Sequence, residues 1–127
     1  MSDSPQASPA ALARTTAEAV RSLNHATLGG DGLGQPADAC EVLGELSLAA
    51  SRIPQLLGQV GRHLAAALAA GRLGCDGNDP VAAVSGAWLF MSGARTSAGA
   101  LARDLASAQQ QLAAVSGPAA EETEGEF

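Results

Sequence analysis

Four side chains in the sequence could bind a soft metal ion or act as a nucleophile and its base: Cys40, Cys75, His25 and His63. Zinc sites take such residues in close pairs, as in C-x-x-C or H-x-x-x-H. None of these four residues forms such a pair. Nucleophilic catalysis by a cysteine would also need an oriented base, which no spacing indicates. We therefore predict no catalytic, cofactor-binding or metal-binding residues.

Two loops resemble ligand-binding motifs in part. From Asp76 the alternating oxygen donors resemble a calcium loop, but the sixth position is Val81 instead of glycine and the twelfth is Ala87 instead of an acid. The glycine-rich residues 29–34 follow a predicted helix and lack the lysine of a phosphate-binding loop. The two segments are better explained as a turn before a helix and as a flexible linker.

Glu41 and Glu45 are the one pair of carboxylates whose spacing places them on the same helical face. Two nearby carboxylates can divide acid and base roles between them. At the start of a helix, however, they are more typical of a solvated face that interacts favourably with the helix dipole. A small enzyme is therefore the least favoured function.

The composition indicates which kind of secondary structure positions these side chains. The 127 residues include no Tyr, two Phe and one Trp, and Ala dominates the apolar fraction. Alanine is the best helix former, whereas the β-branched and aromatic residues of strands are scarce. We predict a single all-α domain.

Prolines and glycines divide the chain into three predicted helices. Helices begin at Pro9, Pro36 and Pro80, where a missing N–H costs nothing, and end near glycines. The predicted helical ranges are 9–28, 36–70 and 80–116, which form a three-helix bundle over residues 9–117. Residues 1–8 and the acidic residues 118–127 are predicted to be disordered.

The second helix carries an apolar seam with alternating spacings of three and four, typical of helices packed at a shallow angle. Its residues are Leu43, Leu46, Ala50, Ile53, Leu57, Val60, Leu64 and Ala67. Pro54 interrupts hydrogen bonding inside this helix. Because the seam stays in register across Pro54, we predict one long, kinked helix with a hinge at Pro54. The alternative is a break there, which would give a four-helix bundle.

Two sets of residues are candidates for interactions with a partner. Small residues recur every seven positions, at Gly44, Ser51 and Gly58 and again at Gly86 and Gly93. Small side chains let helix backbones approach closely. Trp88 lies on the predicted apolar seam of the third helix and is predicted to be core. Phe90 points elsewhere, as a second-face contact or an exposed anchor.

The charge distribution excludes some partners. Of the net charge of −6, four negative charges lie in the last seven residues, so the helical part is nearly neutral. With no basic patch, direct binding of nucleic acid is not expected. Charged residues make up 16% of the chain, against about 25% in an ordinary soluble domain. This shortage indicates a surface covered by another chain, either a further copy or another helical protein.

The chain shows no secretory signal and no predicted membrane span, so we expect a cytoplasmic protein. In that reducing compartment Cys40 and Cys75 are expected to remain thiols. A continuous second helix would also hold them about 50 Å apart, at ~1.5 Å per residue.

The stretch LGELSLAASRIPQLLGQ, residues 43–59, resembles small uncharacterised helical proteins of actinobacteria. That resemblance implies no activity or cofactor. The prediction for function is a non-catalytic helical module for protein–protein interaction or self-assembly. The alternative is a small-ligand-responsive or protein-binding regulator that hinges at Pro54.

Overall fold

The computed structural model describes residues 7–29, 32–74 and 79–125, and for residues 116–125 it describes the backbone alone. These residues form three α-helices: α1 (Pro9–Ala26), α2 (Pro36–Ala69) and α3 (Pro80–Gly125). No strand occurs within these ranges. The predicted all-α class and the number of helices are confirmed.

Helix α1 begins as its sequence predicts. Ser8 is the N-cap, and its Oγ accepts a hydrogen bond from the Ala11 N–H at 3.1 Å. Pro9 occupies the first helical position, where no N–H is required. An exposed ion pair joins Glu18 to Arg21 at 3.4 Å. No residue of α1 is buried, so the helix leaves both its polar and its apolar side chains in contact with solvent.

Helix α2 is continuous through Pro54, which confirms the long helix and excludes a break at this residue. Its start is stabilised by Asp38, whose carboxylate accepts a hydrogen bond from the Gln35 N–H at 3.1 Å. Its end is followed by Gly71, whose φ of +72° lies in the left-handed region that glycine adopts at little cost.

Helix α3 begins after Asp79, whose carboxylate accepts a hydrogen bond from the Val81 N–H at 3.0 Å. It continues to Gly125, beyond the predicted end at residues 116–117 and into the acidic segment predicted to be disordered. Alanine and glutamate at residues 119–122 favour helix, and Pro118 removes only one backbone hydrogen bond. Residues 126–127 lie outside the described residues, as do residues 1–6 of the predicted disordered N-terminus.

Helices α2 and α3 pack against each other as an antiparallel hairpin. The residues buried in this part of the chain are all alanine or glycine: Ala50, Gly58, Gly61, Ala67, Ala98 and Ala102. Small residues allow the two helix backbones to approach closely, but they bury little apolar surface.

Helix α1 makes no helix–helix contact with α2 or α3 among the described residues. Only the end of α1 and the loop after it approach the first turns of α2, at Leu23, Thr27 and Leu33. The predicted three helices are therefore present, whereas packing of α1 into a bundle is not confirmed. None of the described helices is both long enough and apolar enough to cross a membrane.

Candidate protein-binding surface

Gly61 of α2 lies against the indole ring of Trp88 on α3. A Cβ atom added to Gly61 would lie 2.7 Å from Cε3 and 3.1 Å from Cη2 of Trp88, inside van der Waals contact. Gly61 is itself buried, and Trp88 is 40% exposed. The six-membered part of the ring therefore covers the α2 backbone at Gly61, and part of the ring stays exposed to solvent.

Two polar contacts fix the register of the hairpin further along. The Ser47 hydroxyl donates a hydrogen bond to the Ala102 carbonyl at 2.8 Å. The Cys40 thiol donates to the Gln109 carbonyl at 3.6 Å. Cys40, Ser47 and Gly61 lie at multiples of seven residues on α2, and their partners on α3 have the same spacing in reverse. This register satisfies two polar side chains within the hairpin.

Because small residues fill the contact between the helices, the large apolar side chains lie beside it. We call one such set the apolar face: Val42, Leu46, Ile53, Leu57, Val60 and Leu64 of α2, with Met91, Leu101 and Leu105 of α3. Each keeps part of its surface exposed, including 38% of Ile53, 40% of Val60 and 50% of Leu101. No Asp, Glu or Arg belongs to this set.

Helical periodicity places these residues on one side of the hairpin. At 3.6 residues per turn, Ile53 lies about a quarter-turn from the buried stripe of α2. Leu101 lies about a quarter-turn from the buried stripe of α3, in the same rotational sense. In an antiparallel pair these two displacements point to the same side. The apolar residues of α2 and α3 therefore form one continuous surface.

The opposite side of the hairpin is mostly polar, although Leu48, one turn before Ser51, is 43% exposed there. Ser51, Gln55 and Arg62 of α2 and Ser92, Thr96 and Arg103 of α3 lie on that side, and all six are exposed. The hairpin is thus amphipathic as a unit, with charge and hydrogen-bonding groups directed away from the apolar face. This is the arrangement expected when one side of a helical layer packs on another layer.

The accessible surface supports the same interpretation. The chain exposes 9298 Å², whereas a folded monomer of its 12.5 kDa is expected to expose about 6,200 Å². The exposed helix α1 and the exposed apolar side chains of the hairpin contribute to this surface. Apolar area that a compact domain would bury is still available for contact with another molecule.

The residues of the predicted small-residue stripe lie in several different environments. Gly44 lies under the side chain of Gln109, and Gly58 is buried with its Cβ direction 3.5 Å from Cζ of Arg95. Ser51 is exposed and donates to the Leu48 carbonyl at 2.7 Å. At Gly86 and Gly93 an added Cβ atom would meet no neighbouring atom within 4 Å. The α2 glycines thus contact α3 inside the chain, whereas those of α3 face open space.

Phe90 and Pro54 differ in how far they are buried. Phe90 is 82% exposed, at the edge of the apolar face, where its ring meets solvent. Pro54 is half-buried between the helices, beside a cavity of about 350 Å³ that is also lined by Ser92, Arg95 and Thr96. Its placement is compatible with the predicted hinge, which stays a prediction.

Sequence reasoning missed Gly61 as a contact residue. The predicted seam of α2 is buried at Ala50 and Ala67 but remains exposed at Ile53 and Val60. The register at Gly61 could have been found by extending the seven-residue spacing from Cys40 through Ser47. The alternating spacing of three and four predicts that the apolar seam is the centre of the packing surface. In the structure the seam lies along one edge of the α2–α3 contact.

An apolar depression lies at the elbow between α1 and α2, at one end of the apolar face. It has a volume of about 370 Å³, an apolar floor formed by Leu23, Val42 and Leu46, and a rim with Glu41 and Glu45. Both carboxylates are exposed, as predicted for a solvated face. This depression is at the far end of α2 from its C-terminus and is separate from Pro54.

The residues considered for metal binding or catalysis do not form a cluster. Within the described ranges no three His, Cys, Asp or Glu side chains are grouped to hold a metal ion. His25 and His63 are exposed on different helices, and Cys40 contacts the backbone of α3. Cys75 and most of the calcium-like loop lie outside the described residues, so what the sequence indicates for them stays a prediction.

No protein-family model, curated protein sequence or solved structure shows significant similarity to this chain. The resemblance to small actinobacterial proteins therefore stays a prediction.

Proposed function

We propose that this chain is a non-catalytic helical module for protein–protein interaction, and that the apolar face is its binding surface. One observation carries the proposal: the buried residues are alanine and glycine, while Ile53, Val60 and Leu101 remain exposed together on an uncharged surface. Large apolar side chains placed together on one side of a helical layer are typical of a surface covered by a partner.

The energetic basis is burial of apolar surface. Full burial of a large aliphatic side chain contributes about 1.5–3 kcal/mol, so completing the burial of a half-exposed one contributes on the order of 1 kcal/mol. Several such residues on one face supply enough free energy for association, after the entropy cost of binding is subtracted. The gain on the polar side is smaller, because its exposed Leu48 lies beside the polar residues Ser51 and Gln55.

The proposal can be tested with a photoreactive residue placed on each side of the hairpin. p-Benzoylphenylalanine is introduced in the full-length chain at Leu101, on the apolar face, or at Arg103, on the polar side. Both sites are exposed and lie two residues apart on α3. After irradiation of cells that produce each variant, we expect a discrete protein adduct at Leu101 and none at Arg103.

Mass spectrometry then identifies the adduct, which can be a second copy of the chain or a different protein. Retained helicity in far-UV circular dichroism shows that both variants fold. Equal adduct yields at the two positions, or no adduct at Leu101, would contradict the assignment of the apolar face as a binding surface.

A further inference from the structure

We infer that the partner bound by the apolar face is the same face of a second copy of this chain, so that two α2–α3 hairpins form a four-helix core. This inference rests on the proposed function and adds the identity of the partner. It is supported by the charge and size of the apolar face and by the length of α1.

The charge pattern allows two copies to meet. The chain has a net charge of −6, which would oppose self-association if acidic residues lay on the contact surface. The apolar face contains no Asp, Glu or Arg, and Glu45 and Arg52 project from the side of α2 that faces away from α3. Two copies can therefore bring these faces together without burying an unpaired carboxylate or guanidinium.

The size of the face approaches that of a homodimer interface. From Val42 to Leu64 the face spans about 33 Å of α2, and from Met91 to Leu105 it spans about 21 Å of α3, at ~1.5 Å per residue and a width of roughly 10 Å per helix. The face therefore offers roughly 540 Å² per copy, about two thirds of the roughly 800 Å² per partner that specific interfaces bury. Phe90, which is 82% exposed at the edge of the face, adds to this area.

Helix α1 is too short to cover the apolar face. Its apolar stripe runs from Leu12 to Leu23, about 17 Å along the helix axis, which is about half the length of the apolar face on α2. Leu12 is 56% exposed and Val20 is 48% exposed, and α1 does not pack on the hairpin. A second hairpin, by contrast, has the same length as the surface it covers.

Two-fold symmetry makes this pairing self-consistent. An axis in the plane of contact, either along the helices or across them, places each helix antiparallel to the one that it faces. Each copy then uses the same residues, as in other isologous dimers. Antiparallel neighbours also bring the positive end of each helix dipole near the negative end of the next. The resulting core has four helices with large side chains between two alanine-rich layers.

Sedimentation equilibrium of the full-length chain tests the inference. We expect the wild-type protein to have about twice its monomer mass of 12.5 kDa. Ile53→Glu places a carboxylate on the apolar face and should weaken dimerisation about a hundredfold or more, because each interface buries two unpaired charges. Gln55→Glu adds the same charge on the polar side and should leave the dimer intact. Leu101→Glu and Gln110→Glu form a second matched pair on α3. Leu101→Glu should weaken dimerisation, and Gln110→Glu should leave the dimer intact.

The outcomes separate this inference from the proposed function. A wild-type monomer at high concentration whose Leu101 position still crosslinks to a different protein would overturn pairing of copies and leave the interaction surface in place. A monomer without any adduct at Leu101 would overturn both. Loss of dimerisation in Gln55→Glu as well as in Ile53→Glu would overturn the assignment of the contact to the apolar face.

Discussion

At the scale of single residues, the contact between Gly61 and Trp88 shows how a core without large buried side chains is held together. The indole ring lies against the α2 backbone, and a Cβ atom at position 61 would force the ring to move. Gly61 therefore has a packing role, which offsets the lower helix propensity of glycine.

We expect Gly61→Ala to destabilise the protein relative to Gly93→Ala by about 1–3 kcal/mol, because its methyl group would displace the Trp88 ring. Gly93 is an exposed helical glycine with open space around it, so Gly93→Ala should raise the unfolding free energy by about 0.5–1 kcal/mol. Denaturant unfolding measures both changes. Trp88 fluorescence should shift in Gly61→Ala alone, and equal effects of the two substitutions would contradict the contact.

Individual contact residues are the features that the sequence predicts least completely. The spacing of apolar residues identifies the correct side of α2, since Ala50 and Ala67 are buried. It cannot show that α3 packs on the glycines beside that seam, because periodicity of one helix does not determine which neighbour it meets. The seam therefore predicts Ile53 and Val60 as core, whereas both are partly exposed.

At the scale of helices, local chemistry allows most boundaries to be predicted. Helix starts at Pro9, Pro36 and Pro80 are confirmed, since a proline at the first helical position follows from backbone geometry alone. Helix α3 continues to Gly125, beyond its predicted end, although a glycine followed by a proline usually ends a helix. The packing of α1 could not be predicted either, since its apolar stripe indicates a buried side without naming the partner.

Pro54 gives a prediction for α2. Replacing it with alanine restores a backbone donor in a continuous helix, so we expect Pro54→Ala to raise the unfolding free energy by about 1–3 kcal/mol. Dimerisation should be unchanged, because Pro54 is not part of the apolar face. Thermal and urea unfolding measure the first effect and sedimentation the second. A loss of stability would show that the geometry imposed by Pro54 is needed for packing on α3.

Helix α1 gives a second prediction at this scale. Because Leu12 and Val20 are exposed and α1 does not pack on the hairpin, the double substitution Leu12→Glu and Val20→Glu should change stability by no more than about 0.5 kcal/mol. Urea unfolding of the full-length chain checks this. A clearly larger loss would indicate that α1 packs on the hairpin in solution, as a three-helix bundle requires.

At the scale of the whole molecule, an amphipathic hairpin explains why so few residues are charged. Charged residues make up 16% of the chain, although its surface exceeds that of an average monomer of the same mass. The register at Ser47 and Gly61 determines which side of the hairpin carries the apolar residues. We propose that this side is the surface that a partner covers.

Pairing of two copies links folding to concentration. A two-helix layer buries too little apolar surface for high stability, so much of the free energy of folding should come from the dimer interface. The unfolding temperature of such a protein rises with its concentration, because dissociation accompanies unfolding. A substitution that prevents pairing should remove that dependence together with a large part of the stability.

Pairing through the apolar face is tested most directly by measuring how the unfolding temperature depends on protein concentration. Circular dichroism at 222 nm monitors thermal unfolding at protein concentrations that span about a hundredfold range. We predict an unfolding temperature that rises steadily with concentration for the wild-type chain and for Gln55→Glu. Ile53→Glu should unfold at a lower temperature that does not depend on concentration. An unfolding temperature that stays constant for the wild-type chain across the whole range would contradict pairing of two copies.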